Sequence, residues 1–267
     1  MDIIDLGFIQ LAIAFLALLA PLFIFYYYRT GLITQLGISA LRMVLQLFFV
    51  GFYMEVLFEL DNPWITGAWI LVMVIASDIA TNDRSNLKLR VMFWPVFAAT
   101  LLGIVLIDLF FLEAVIQLPE ILEPRYTIPI TGMILGNCLK TNVIGLQAFY
   151  SGLRRHHQRY EFDLMCGARR NEALFPFYRD ALRKAANPIL ASMATVGLVS
   201  FPGMMTGQIL GGATPFTAIR YQIMIHIAIF SGTILTVFLA IWFCNRRAFH
   251  ANDQLDTSIF KGGLDEL

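Results

Sequence analysis

The chain has 267 residues, of which 58% are hydrophobic and only 14% charged, with a mean hydropathy of +0.70. A soluble globular chain is nearer half apolar and a quarter charged, so this excess points to an integral membrane protein. Nineteen basic residues balance nineteen acidic ones, and a net charge of zero provides no global basic field for nucleic acid.

The acidic start MDIIDLGFIQ lacks the positive charge of a signal peptide. The apolar run behind it is also longer than a signal peptide's core, so the first helix is expected to stay in the mature protein. A helix needs about 20 apolar residues to cross the hydrocarbon core. Seven stretches meet that demand: 6–28, 38–60, 64–80, 91–116, 127–150, 188–210 and 217–244. The third is short, and Pro202 with Gly203 interrupts the sixth. Positive charge then orients them. Arg29 lies in the first loop, Arg84, Lys88 and Arg90 in the third, and Arg154, Arg155, Arg159, Arg169, Arg170, Arg179, Arg183 and Lys184 in the fifth. Arg246, Arg247 and Lys261 follow in the tail, whereas the even-numbered loops carry only Arg125. The positive-inside rule places the N-terminus outside and the C-terminus in the cytoplasm. The expected fold is an all-α integral membrane protein of about seven transmembrane helices in one domain over 1–267, with a cytoplasmic tail at 245–267.

The fifth loop, about 151–187, is the one sizeable segment outside the membrane and is too small for an independent catalytic domain. It reads as two short amphipathic helices separated around CGARR, with Leu174, Phe175, Tyr178 and Leu182 recurring at helical spacing. Asn187-Pro188 is expected to end the segment.

No P-loop, nucleophile elbow or zinc-binding H-E-x-x-H helix occurs, which argues against an enzyme. Cys138, Cys166 and Cys244 are far apart and read as ordinary thiols. His156 and His157 fit a solvated helix face, and His226 a hydrogen-bonded packing residue. No His, Cys, Asp or Glu cluster has ligand spacing, so any bound metal is unknown. The remaining signal is polar chemistry at membrane depth, where ionisable groups are costly and face a bundle interior or cavity. Arg42 and Gln46 share one face of the second span, and Glu55 with Glu59 repeats the spacing. Glu59 and Glu113 suit interfacial anchors, while Asp78 and Asp108 lie towards the ends of their spans.

Within TGMILGNCLKTNVIG (131–145), Lys140 is about ten residues, or about 15 Å, from the cytoplasmic end. It shares a face with Asn137 and Thr141, next to Asn142 and beside a Gly132-x-x-x-Gly136 pair that suits close helix packing. Two readings stand: the face glues helices with Lys140 paired to Asp78 or another acid, or it lines a substrate path. In the sixth span, Pro202 and Gly203 break the backbone ladder. Met193, Met204 and Met205 there are either core filler or soft ligands.

IPITGMILGN at 128–137 and ATVGLVSFPGMMTGQILGGATPFTAIRYQIMI at 194–225 closely resemble the FetB-like permeases, as do LRMVLQLFFVGF at 41–52 and Gly167-Ala168. The resemblance covers about 35–245. It implies the membrane permease subunit of an ATP-driven ABC transporter in the bacterial inner (plasma) membrane, exporting iron or another metal ion or complex. It further implies a separate FetA-like ATPase that carries the ATP-Mg, and an assembly of two permeases with two ATPases. The stretch from Glu161 through Met165, Gly167, Ala168, Arg169 and Arg170 then looks like the coupling helix that docks on the ATPase. Arg42, Gln46, Glu55, Asn137, Lys140, Thr141, Asn142, Met193, Pro202, Gly203, Met204 and Met205 become candidates for the translocation path. A fixed charge at Lys140 keeps an anionic, non-metal substrate open, and an ATPase-independent channel or secondary transporter is a separate alternative.

Overall fold

The computed structural model describes residues 7–120, 122–250 and 253–261, which are helical almost throughout and contain no β-strand. The chain divides into two compact units, Met1–Asp61 with Leu210–Gly212, and Asn62–Ile209 with Ala213–Leu267.

In the first unit, α1 (Phe8–Phe15) and α2 (Leu19–Tyr27) are joined by a tight 3₁₀ turn at Leu16–Leu18 into one apolar rod. After a turn in which Gly31 takes a φ of +73°, α3 runs from Ile33 to Leu60. Leu57 is the single buried residue described on these helices. Phe8, Phe23, Phe48 and Phe52 are all exposed. Helices that are this apolar and bury so little against protein suit a lipid environment.

The second unit has a packed interior. Asn62 caps α4 (Pro63–Arg84) by accepting from the Trp64 N–H at 2.9 Å, and Pro63 takes the first helical position, where no donor is needed. α5 (Leu89–Leu109) runs on into a π-helical turn at Phe110–Ile116, which Gln117 stops in the left-handed region. α6 (Pro124–Arg155) and α10 (Pro215–Ala248) complete the core. Three glycines set its spacing. A Cβ at Gly103 would strike Thr236, one at Gly145 would stand 2.6 Å from Val237, and one at Gly232 would stand 2.9 Å from Ile134. The expected Gly132/Gly136 pair does not hold this role. A Cβ at Gly132 would meet the flexible end of Met73 at 3.2 Å, and one at Gly136 would meet nothing within 4 Å. Small-residue spacing permits close approach, but the neighbouring helix decides which glycines receive it.

Buried side chains stitch the helices together. Thr100 donates to Asp78 at 2.9 Å across α4 and α5, and Thr131 donates to Asp108 at 2.6 Å across α5 and α6. Towards the far end, Tyr150 donates to Asn245, which donates in turn to Tyr178, at 3.0 and 2.9 Å.

Among the described residues, five helices are long and apolar enough to cross a membrane: Phe8–Tyr27, Ile33–Leu60, Pro63–Arg84, Leu89–Ile116 and Pro215–Ala248. The third is longer than the 64–80 expected. α6 has 32 residues, but its polar stripe keeps it outside this group. The remaining expected span is two helices. α8 (Arg170–Thr195) continues straight through Pro176 and Pro188, so Asn187-Pro188 does not end it. A proline removes one backbone bond and bends a helix, which a long helix can survive. The break comes instead at Val196–Pro202, before the eight-residue α9 (Gly203–Leu210). Gly197 turns the chain there with a φ of +87°, and its N–H donates to the Ser200 carbonyl at 2.9 Å.

α7 (His157–Met165) and the start of α8 are tied to the α4–α5 turn by the segment after α10. Leu255 and Ile259 are buried, and the Lys88 N–H donates to the Ile259 carbonyl at 2.7 Å. Lys261 pairs with Asp83 at 2.6 Å, and Arg170 pairs with Asp253 at 3.0 Å. Tyr160 donates to the Asp253 carbonyl at 2.8 Å, and burial pushes its phenol up to about 12.

Candidate functional site

A cavity of about 480 Å³ opens between α6, the end of α8, the broken segment, α9 and α10. The α6 wall is the polar stripe of the sequence: Asn137, Lys140 and Thr141 at helical spacing. Two of the three are held from within the helix. Asn137 donates to the Met133 carbonyl at 2.8 Å, and Thr141 donates to the Asn137 carbonyl at 2.8 Å. Lys140 differs from both: it is exposed, lines the cavity, and has no ion pair or hydrogen bond among the described residues. The pairing with Asp78 is not formed, because Asp78 is turned to Thr100 on α5. Of the two readings of this face, the acid pairing is not formed among the described residues, and Lys140 lines the cavity instead.

Opposite walls come from residues distant in sequence. Ser192 closes α8, Ser200 and Pro202 stand in the break, and Gly203 with Met204 begins α9. From α10 come Gln222 and His226, whose imidazole Nδ1 lies 2.6 Å from Gln222 Nε2 and 3.0 Å from the Gln222 carbonyl. His226 is thus hydrogen-bonded as expected, and it also faces the cavity. The helix break explains the polar backbone here. Thr206 is the first α9 residue whose N–H reaches a carbonyl at its own helix start, that of Pro202 at 3.1 Å. The N–H groups of Gly203, Met204 and Met205 therefore precede the intrahelical ladder, at the positive end of a helix dipole.

The other expected path residues are not among those that line this cavity. Met193 and Met205 line a separate, mostly apolar hollow of about 550 Å³ that also touches Gln222 and His226. Asn142 is buried, with neither side-chain atom hydrogen-bonded among the described residues, and does not line the cavity. Arg42, Gln46 and Glu55 belong to the first unit, where all three are exposed on α3. Among the described residues, no group of three or more His, Cys, Asp or Glu side chains comes together.

A second candidate surface lies at α7. The helix ends in a turn in which the Ala168 N–H reaches the Asp163 carbonyl at 3.1 Å and the Gly167 N–H reaches Leu164 at 2.9 Å. This paired pattern is a Schellman stop, and it requires the left-handed φ of +91° that Gly167 adopts. α8 restarts at once, with the Arg169 N–H donating to the Glu172 carboxylate at 2.8 Å. Phe162 and Met165 are 61% and 79% exposed on this outward face, beside exposed Arg169. Glu161 sits 3.7 Å from His157 one turn back, and Arg170 is drawn to Asp253. Sequence reasoning picked out Met165 and Gly167 but not Phe162, although i and i+3 spacing with Met165 was available as a signal.

Comparison with known proteins agrees with this architecture. The profile of the uncharacterised protein family UPF0014 matches residues 8–249. A membrane protein of that family from Synechocystis is 31% identical over 80% of this chain and 83% of its own length. The probable iron export permease protein FetB of Escherichia coli is 30% identical over 92% and 93%, respectively. Protein ALUMINUM SENSITIVE 3 of Arabidopsis thaliana is 29% identical over 95% and 92%. No solved structure matches the chain. The profile, these relatives matched over most of their length and the chain's apolar helices agree: the chain belongs to UPF0014, the FetB-like family of multi-pass membrane permeases.

Proposed function

We propose that this chain is the permease subunit of an ATP-driven ABC transporter, and that the cavity of α6, α8–α9 and α10 is its cargo site. α6 and the broken α8–α9 segment add two crossings to the five apolar helices, which gives seven, with the N-terminus outside and α7 and the tail in the cytoplasm. A separate ATPase subunit binds ATP-Mg and docks on α7, and two copies of each chain form the assembly. The iron export named for the Escherichia coli relative makes iron, free or complexed, the first cargo to test.

The observation that carries the reading is α7 itself. A short helix presents Phe162 and Met165 to solvent and stops at a rigid turn on Gly167. Exposed apolar anchors next to positive charge suit a protein groove better than water. Arg170–Asp253 and Lys261–Asp83 tie this surface to the α4–α5 turn, so a pull on α7 reaches the bundle through packed structure. The test is co-purification with a Walker-motif ATPase co-expressed from the same genome. Gly167→Arg is expected to abolish the complex while the permease remains folded and membrane-embedded. Binding that survives this change would remove α7 from the docking role.

A further inference from the structure

The cavity is not built for a bare metal cation. Among the described residues its lining holds one lysine, one histidine and no carboxylate. Lys140 is exposed into it, with no acid to neutralise it among the described residues. The neutral groups around it, Ser192 and Ser200, offer hydroxyls that turn to donate to an acceptor. The wall at Gly203 and Met204 is the start of α9, where free N–H groups and the positive end of the helix dipole favour negative charge. A cation placed here would meet a like charge at short range in a weakly screened setting. An anion would meet a lysine, several donors and a helix start together.

We infer that the cavity binds its cargo as an anion, an oxyanion or polycarboxylate carried alone or as the chelate of a metal, with Lys140 as the anchoring charge. This rests on the cavity being the cargo site. Iron would then travel as an anionic chelate and not as the aquo ion. The volume of about 480 Å³ exceeds the need of one dehydrated ion and lies in the range of sites for small organic ligands. Lysine suits the task as a point charge on a flexible stem that follows a ligand through a changing cavity.

The experiment measures binding to the full chain in nanodiscs by calorimetry, with citrate, ferric citrate and ferrous ion alone as probes. Citrate or ferric citrate is expected to bind, and the two arms separate free anion from chelate. Lys140→Gln should weaken that binding about tenfold or more, the scale of one charge-assisted contact. Lys140→Arg should retain most of it. Both variants are expected to fold, since neither adds volume to a packed wall nor introduces a new buried charge. Anion binding that Lys140→Gln leaves unchanged, no binding of either anionic probe, or tighter binding of ferrous ion alone would each overturn the inference. Ser192→Trp, which fills the cavity from α8, tests the underlying site separately through cargo-stimulated ATP turnover with the ATPase present. Turnover that survives Ser192→Trp defeats the cargo-site reading. Turnover that is lost, with citrate binding indifferent to Lys140, defeats the anion alone.

Discussion

Gly167 allows the docking surface to be tested by backbone geometry alone. Its φ of +91° lies where a side chain costs about 1–2 kcal/mol. A Cβ built there meets nothing within 4 Å, so no clash adds to that cost. The whole effect of Gly167→Ala should therefore be the free energy of holding the turn. If the free variant relaxes out of the turn and docking must restore it, that free energy comes out of the binding, and affinity for the ATPase falls about 5- to 30-fold. Asn tolerates the left-handed region and should lose less, whereas Val, branched at Cβ, should lose more. The assay is a titration of labelled ATPase against nanodisc-held permease, with each variant checked for an unchanged melting temperature. The order Gly, Asn, Ala, Val in affinity supports the turn as the rigid stop of a docking helix. Equal affinity for Gly, Ala and Val would refute it, as would an Asn variant weaker than Val.

The buried pair of Asp108 and Thr131 gives a stability prediction. Asp108 Oδ1 already lacks a partner among the described residues. Thr131→Val should strip the other oxygen and cost about 1–3 kcal/mol in denaturant unfolding, more than Asp108→Asn. Gly145→Ala should destabilise by forcing a methyl to 2.6 Å from Val237, and Val237→Ala in the same chain should restore the melting temperature. Hydrogen bonds from Ser258 hold the Asp256 carboxyl below its ordinary range. A depressed folded value means that its stabilisation is present above the unfolded value of about 3.9 and is lost as pH falls through the folded one. Protease release of the segment around Asp256 should therefore rise below about pH 4 in the parent chain. Asp256→Asn should lose that dependence.

Much of this was legible from residue pattern. The membrane class followed from composition, and the Asn137–Lys140–Thr141 face followed from helical spacing along one stretch. What the sequence hid depends on neighbours. Ser192, Ser200, Gln222 and His226 come from three stretches and look unremarkable until the break folds them towards α6. Gly132 and Gly136 had the right spacing for close packing, but Gly103, Gly145 and Gly232 received the partner helices. Pro188 looked like a stop because the preference before proline is local, while the hydrogen bonds of a 26-residue helix are many. Arg42, Gln46 and Glu55 were grouped with Lys140 by polarity alone, and they belong to the other compact unit.

The polar stripe on α6 also bears on how the protein is made. A segment leaves the insertion channel for lipid according to its own apolarity, and a lysine near the middle of a helix costs about 2.5–3.5 kcal/mol on that scale. α6 is outside the group of helices apolar enough to cross unaided. α4 and α5 emerge before it and can screen part of the stripe, but α10, which forms the facing wall, is synthesised last of the four. α6 should therefore linger at the channel until its later partner arrives. The charge that equips the cavity to hold a ligand would then also set the order in which the helices enter the membrane.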